Sequence, residues 1–216
     1  MTLGVGAVAC TTAVSGLFCV ERSPLTAMNG NLVPDRYGLA MLLHQTHYFV
    51  YAYVLLAAFL VGLEPSGGTA TWEHTANAAL FFSLGWLSYI SGQQLLKKIL
   101  GWPPLRASIV GHVLVSACLL IMALYAGNHT VLVVAWITGG FGGGSVYAIK
   151  ELASLNACKA DMELWEHWGH VLGVALALLL FIIVPQMPWM PFVVAMAAAL
   201  LTVVSLVRQN MRHNPA

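Results

Sequence analysis

Two pairs of histidines are the residues of this chain best suited to carry chemistry. His44 and His47 form one His-x-x-His pair, and His167 and His170 form a second. In a helix, this spacing places both imidazoles of a pair on adjacent turns of one face. Four imidazoles could bind a transition metal or ligate haem, and they could relay protons because histidine titrates near neutral pH.

Acidic, basic and phenolic side chains accompany these histidines. Tyr51 lies one turn beyond His47, and Glu166 directly precedes the second pair. Lys150 is interpreted either as the partner of an anion or carboxylate, such as Glu166, or as an interfacial lysine whose charge reaches the headgroups. The predicted set that handles substrate or protons is His44, His47, Tyr51, Tyr147, Lys150, Glu166, His167 and His170.

A metal or haem is an open possibility rather than a firm expectation. Its ligands would come from His44, His47, Glu166, His167 and His170. The competing interpretation is a hydrogen-bonded cluster that packs helices together and binds nothing. Isolated His-x-x-His spacings are common, so the motif does not decide between these alternatives.

The composition determines the class of protein that must position these groups. The chain has 216 residues, of which 59% are hydrophobic and only 8% are charged. An ordinary soluble domain has roughly 25% charged residues. The apolar runs of this chain reach the ~20 residues that a membrane-spanning helix needs, and they do not alternate with polar residues as barrel strands do. The sequence therefore predicts an all-α integral membrane protein.

Six apolar segments are predicted to span the membrane. Proline- and glycine-rich connectors separate them and end the helices, since proline lacks an amide donor. The predicted spans are residues 37–62, 76–96, 107–126, 131–149, 164–184 and 190–207. Residues 37–207 would thus form one six-helix domain, followed by a cytoplasmic tail over 208–216.

The orientation is predicted from the basic residues. All nine lie before span one, between spans two and three, between spans four and five, or after span six. Cytoplasmic loops concentrate Lys and Arg, so both termini are predicted to face the cytoplasm. The expected location is a plasma membrane or bacterial inner membrane. The basic residues are Arg22, Arg36, Lys97, Lys98, Arg106, Lys150, Lys159, Arg208 and Arg212.

Residues 1–36 are predicted to form an N-terminal tail. Their apolar part, residues 3–20, has no preceding basic residue, unlike a secretory signal. It could be a seventh span, or translation could begin at Met28.

The predicted spans differ in polarity. Spans one, two, four and five carry most of the polar side chains, whereas span three has His112 and Ser116 and span six has Thr202 and Ser205. Buried polar groups need partners or an aqueous cavity within a membrane. We therefore expect spans one, two, four and five to surround a polar centre, with spans three and six outside them.

Glycines are concentrated in spans four and five. Small residues let membrane helices approach closely, which predicts a packing role. A phosphate-binding loop is excluded because the run lacks the Lys-Ser or Lys-Thr ending. The predicted packing glycines are Gly139, Gly140, Gly142, Gly143, Gly144, Gly169 and Gly173.

This arrangement resembles one half, of the N-terminal type, of a major facilitator superfamily transporter. The resemblance covers residues 37–207 and rests on the span pattern, the glycine-rich span four and the segment Gly169–Gly173. Gly92, Lys97 and Lys98 are similar to the family's loop between spans two and three, although its acidic residue is missing. The family has two such halves with the substrate path between them.

The resemblance implies a half-size secondary transporter for a small polar or metal-chelating solute. A homodimer or a separate second half would complete the path, and the His and Glu groups would handle substrate or protons. A membrane-embedded metal or haem enzyme is the first alternative, and a non-transporting subunit or truncated fragment is the second. The net charge of +1 gives no indication of a nucleic-acid partner.

Overall fold

A computed structural model of the protein describes residues 36–61, 72–155 and 159–213. These residues form helices joined by short turns. In chain order, the α-helices are α1 (Arg36–Val61), α2 (Trp72–Gln94), α3 (Pro104–Leu124), α4 (His129–Gly143), α5 (Val146–Leu155), α6 (Lys159–Ile183) and α7 (Met190–His213), and a π-helical turn, Leu95–Ile99, extends α2.

Each of the six predicted segments overlaps a helix of the described residues. The fourth span, residues 131–149, is divided between α4 and α5, and α7 continues into the predicted C-terminal tail. The N-terminal tail, with its possible seventh span and its alternative start at Met28, lies outside the described residues. The predicted connector at residues 64–68 also lies outside them.

Four helical segments of the described chain are long and apolar enough to cross a membrane. They are Pro104–Leu124, His129–Ala153, Met162–Ile183 and Met190–Arg208. Large apolar side chains such as Val171 and Ile182 are exposed on the surface of the bundle, as lipid contact requires. α1 and α2 are 26 and 23 residues long, but polar side chains interrupt their apolar character.

One face of α3 is buried in the bundle, while large apolar side chains on its other face are exposed. α3 packs against α4, α5 and α7, while α1 packs against α6 and α7. On α3, His112 and Ser116 are both buried. The expectation that span three lies outside the polar centre is therefore wrong. α3 packs against the other helices because one of its faces combines small and polar side chains, which pack closely against protein rather than against lipid.

α6 is the most peripheral of the four apolar segments. Only 17% of its most apolar stretch is buried, against 61% for the segment that contains α4 and α5. Its buried side faces α1, where a Cβ atom at Gly169 would lie 2.5 Å from the Leu42 carbonyl oxygen. A Cβ atom at Gly173 would lie 2.8 Å from the Thr46 carbonyl oxygen. Close backbone contact with α1 therefore depends on both glycines.

The glycine run of α4 faces two neighbouring helices. A Cβ atom at Gly142 would collide with the Gly111 carbonyl oxygen of α3. Cβ atoms at Gly140 and Gly144 would meet α2, at Ser88 and at the Tyr89 carbonyl oxygen respectively. Gly139 and Gly143 have more room, since their nearest neighbours would lie 3.4 and 3.0 Å away.

The helix breaks between Gly143 and Val146. The Ser145 amide donates to the Gly142 carbonyl at 3.0 Å, and the Tyr147 amide donates to the Gly144 carbonyl at 3.3 Å. These hydrogen bonds connect residues three apart rather than four, so the backbone is wound more tightly here than in an α-helix. The α-helical pattern resumes in α5. Interrupted membrane helices are tolerated where the irregular backbone is buried in protein or lines a cavity.

Candidate functional site

A cleft of about 460 Å³ lies among α1, α2, α5 and α6. One part of its lining is polar and another part is aromatic, so the cleft suits a solute that has both an ionised and an apolar part. Its lining residues are His44, Gln45, Tyr48, Phe49, Ala52, Tyr53, Leu56, Phe82, Trp86, Tyr89, Val146, Tyr147, Lys150, Glu166 and His170.

An ion pair marks the polar end of the cleft. The Lys150 ammonium lies 2.8 Å from each carboxylate oxygen of Glu166. The Gln45 side-chain amide also donates to Glu166 Oε1, at 3.1 Å. This carboxylate therefore connects α1, α5 and α6. The pair is partly accessible, with 42% of the Lys150 side chain and 27% of the Glu166 side chain exposed, so a solute can reach it.

The aromatic wall is built from α1, α2 and α5. The ring of Tyr89 on α2 lies 5.9 Å from that of Tyr147 on α5 and 6.4 Å from that of Tyr48 on α1. Trp86 packs edge-on against Tyr89 at 5.4 Å and is half exposed. Aromatic faces attract cations and stack on planar groups. The wall can therefore hold the body of a solute whose charged group contacts the ion pair.

The second histidine pair does not meet the first. His170 stacks on Phe49, with ring centroids 3.3 Å apart, and lines the cleft. His167 is exposed, and its Nδ1–H donates to the Glu163 carbonyl at 2.6 Å. The proposed metal set that combined both pairs with Glu166 is therefore not assembled in this structure, because α6 turns His167 away from α1.

A different cluster of histidines lies behind the cleft. His44, His47 and His112 are all buried, and one ring nitrogen of each lies within 4.8 Å of the others. The rings of His44 and His112 have centroids 5.0 Å apart, and those of His47 and His112 are 5.5 Å apart. His112 on α3 thus completes a three-imidazole cluster with the first pair. His44 belongs to both the cluster and the cleft lining.

The hydrogen bonds of this cluster determine where its protons lie. A carbonyl oxygen only accepts, so His112 Nδ1–H donates to Ser108 at 2.7 Å, and His47 Nδ1–H donates to Leu43 at 3.3 Å. The Nε2 atom of His112 is then an acceptor for His44 Nδ1–H, 2.8 Å away. The Nε2 atom of His47 is buried and has no hydrogen-bond partner among the described residues.

Two predicted residues are close to the cleft without lining it. His47 is fully buried, and Tyr51 is 3% exposed. The Tyr51 ring lies 6.0 Å from that of His47 and 5.4 Å from that of Trp136 on α4. They support the cleft from behind rather than contact its interior.

Five of the eight residues predicted to handle substrate or protons line the cleft. They are His44, Tyr147, Lys150, Glu166 and His170. Gln45 and Trp86 also line the cleft but were not predicted to do so. His112 was predicted to lie on an outer helix. The available signal was the placement of His112 and Ser116 one turn apart, a polar stripe in an otherwise apolar helix.

Comparison with known proteins adds no assignment to this site. Protein-family models, curated proteins and solved structures give no match to the chain.

Proposed function

We propose that this protein is a membrane carrier of a small solute, with the cleft as its binding site. The observation that carries the proposal is the exposed Lys150–Glu166 ion pair at the polar end of an aromatic-lined cleft. Lys150 directly follows predicted span four, and Glu166 lies in the first turn of predicted span five. Ionisable residues in membrane-spanning segments are costly, so a carboxylate such as Glu166 usually marks an ion, proton or substrate pathway. The solute would be a small molecule with an ionised group, such as an amino acid or a chelator.

The ion pair supplies a means of coupling binding to movement. A solute carboxylate can replace Glu166 as the partner of Lys150, and a solute ammonium can replace Lys150. Either exchange releases one of the contacts that join α1, α5 and α6. Rocking of these helices around a fixed site would then expose the solute to the opposite side, as in carriers that work by alternating access.

The proposal includes a membrane topology. We infer six spans with both termini in the cytoplasm, because the basic residues follow the positive-inside pattern. Most of the described ones lie near helix ends, for example Arg106 in α3 and Arg208 in α7, whereas Lys150 lies within α5. Cysteine labelling at Gly127 should occur from the outside, and labelling at Arg106 from the inside. Labelling of both positions from one side would contradict this topology.

Two copies of the chain would complete the path, as the similarity to half of a major facilitator carrier implies. Lys150, Tyr147 and His170 are exposed at the cleft and would otherwise meet lipid. We expect the detergent-solubilised protein to have the mass of a dimer in light-scattering measurements, with detergent mass subtracted. A strictly monomeric protein with solute uptake would contradict the two-copy arrangement.

A thermal-shift screen with amino acids, aromatic amines and small chelators tests binding directly. We expect at least one of these ligands to raise the unfolding midpoint and to change the fluorescence of Trp86, whose ring lines the cleft. Trp86→Phe should remove that part of the fluorescence change and retain the thermal shift. Trp168→Phe is the matched control, because Trp168 is exposed on α6 outside the cleft lining.

Uptake of the identified ligand into proteoliposomes tests transport itself. Uptake should saturate with concentration and stop when the cleft is blocked by Tyr147→Trp, which adds volume beside Tyr89. Binding without uptake would contradict the carrier proposal and leave a binding protein.

A further inference from the structure

We propose that His44, His47 and His112 bind one divalent metal ion, such as Zn²⁺, inside the bundle. The three side chains come from α1 and α3, and each is at most 2% exposed. Imidazole nitrogen is a preferred ligand of Zn²⁺, Cu²⁺, Co²⁺ and Ni²⁺. Three protein ligands with one remaining position form the arrangement of an open zinc site.

The proton positions support this assignment. Metal-binding histidines usually donate their second ring N–H to a carbonyl or carboxylate, which fixes the tautomer. The Nδ1–H groups of His47 and His112 already donate to the Leu43 and Ser108 carbonyls. The lone pair at Nε2 of His47 is therefore available, and that of His112 becomes available when a ring flip or tautomer exchange at His44 removes its N–H donor.

The unpartnered nitrogen is an independent observation that points to a ligand. Nε2 of His47 is buried and has no hydrogen-bond partner in the described part of the chain. Buried polar atoms are nearly always satisfied, and a bound water or ion is one of the causes of an exception. A metal ion held by all three rings would satisfy this atom.

The separation of the three nitrogens also fits. Zinc–nitrogen bonds of about 2.05 Å in tetrahedral geometry place ligand atoms roughly 3.3 Å apart. The atoms here lie within 4.8 Å of one another, and the nearest pair, His44 Nδ1 and His112 Nε2, is 2.8 Å apart. Side-chain rotations on two stable helices can provide the remaining adjustment.

The fourth position of the ion is reached from the cleft. His44 lines the cleft, whereas His47 and His112 lie behind it. All three protein ligands are neutral, so a bound divalent ion retains its charge and attracts an anionic ligand. The site thus favours a small anion or a chelating group that enters from the cleft.

Metal titration of the full-length protein tests the inference. Tag-free protein is treated with EDTA and titrated with Zn²⁺, and with Co²⁺ as a spectroscopic probe. We expect one ion per chain, and a tetrahedral Co²⁺ absorption spectrum that changes on addition of azide. His112→Gln should weaken zinc binding by about 100-fold or more, since even outer-shell losses cost 10- to 100-fold.

His167→Gln is the matched control and should leave zinc binding unchanged, because His167 is exposed on α6 away from the cluster. X-ray absorption of the zinc-loaded wild-type protein requires no variant and should show about three imidazole ligands. Absence of stoichiometric zinc, or loss of zinc in His167→Gln but not in His112→Gln, would overturn the inference. An unaltered cobalt spectrum with azide would overturn the open position.

Metal binding is measured without solute, so its outcome is separate from that of the carrier proposal. Glu166→Gln should impair uptake and retain zinc. A protein that transports without binding zinc would refute only the metal site.

Discussion

Glu166→Gln is expected to lower solute uptake by roughly 10- to 100-fold while the protein remains folded. The carboxylate accepts from Lys150 and from Gln45, so its charge holds three helices in one arrangement. A loss of that size corresponds to about 1.4–2.8 kcal/mol, which we assign to the contacts of the carboxylate with solute and helices during transport rather than to folding stability. Uptake into proteoliposomes at saturating solute measures the effect.

The folded state should change little in the same variant. Lys150 is 42% exposed, and an exposed pair contributes only about 0–1 kcal/mol to stability. Glu163→Gln is the control, since Glu163 lies one turn earlier on α6 and is exposed outside the cleft. The exchange variant Lys150→Glu with Glu166→Lys should recover part of the uptake. Equal uptake in Glu166→Gln and Glu163→Gln would contradict a role for the pair.

Proton handling is a separate question about the same end of the cleft. Glu166→Gln combined with His170→Ala removes both titratable groups that α6 contributes to the lining. We expect proton-driven accumulation to be lost, while solute exchange stays at the level of Glu166→Gln alone. Proton-driven accumulation that survives both changes would exclude these groups from coupling.

Gly142→Ala is expected to destabilise the protein by roughly 1–3 kcal/mol, the usual cost of overpacking a closely packed contact. Its added Cβ atom would collide with the Gly111 carbonyl oxygen and lie 2.9 Å from Val115. Backbone atoms cannot rotate aside, so α3 and α4 must separate. The unfolding midpoint and the amount of monodisperse protein in detergent measure the effect.

Two other glycines provide a graded comparison. At Gly139, a Cβ atom would lie 3.4 Å from Cys118, an ordinary contact, so Gly139→Ala should change the midpoint less. At Gly127, nothing lies within 4 Å, so Gly127→Ala should have no measurable effect. An equal loss of stability at all three positions would contradict the role of helix separation.

The helices could be predicted because each depends mainly on local sequence. Apolar runs and the breakers between them place α1, α2, α3, α6 and α7 close to their observed bounds. The break after Gly143 was not predicted, although the glycine run made it possible. Local sequence does not determine whether a run of glycines packs within a continuous helix or interrupts that helix.

The site depends on packing between distant segments and was predicted only in part. The spacing of His44 and His47 identified one face of α1, but the third imidazole of the cluster comes from His112, which lies 68 residues after His44 in the chain. Polarity alone suggested that α3 was an outer helix. One buried histidine with a partner on another helix outweighs the average polarity of a segment, which is why that expectation was wrong.

The interruption between α4 and α5 has a mechanical consequence. Ser145 lies in the interruption, and its hydroxyl is 3.2 Å from His112 Nδ1. Lys150 follows one and a half turns later and holds Glu166. α5 therefore links the histidine cluster, through Ser145, to the ion pair, through Lys150. A rotation of α5 that releases Glu166 would also alter the contact between Ser145 and His112. A change at the ion pair would therefore affect the histidine cluster, and the reverse.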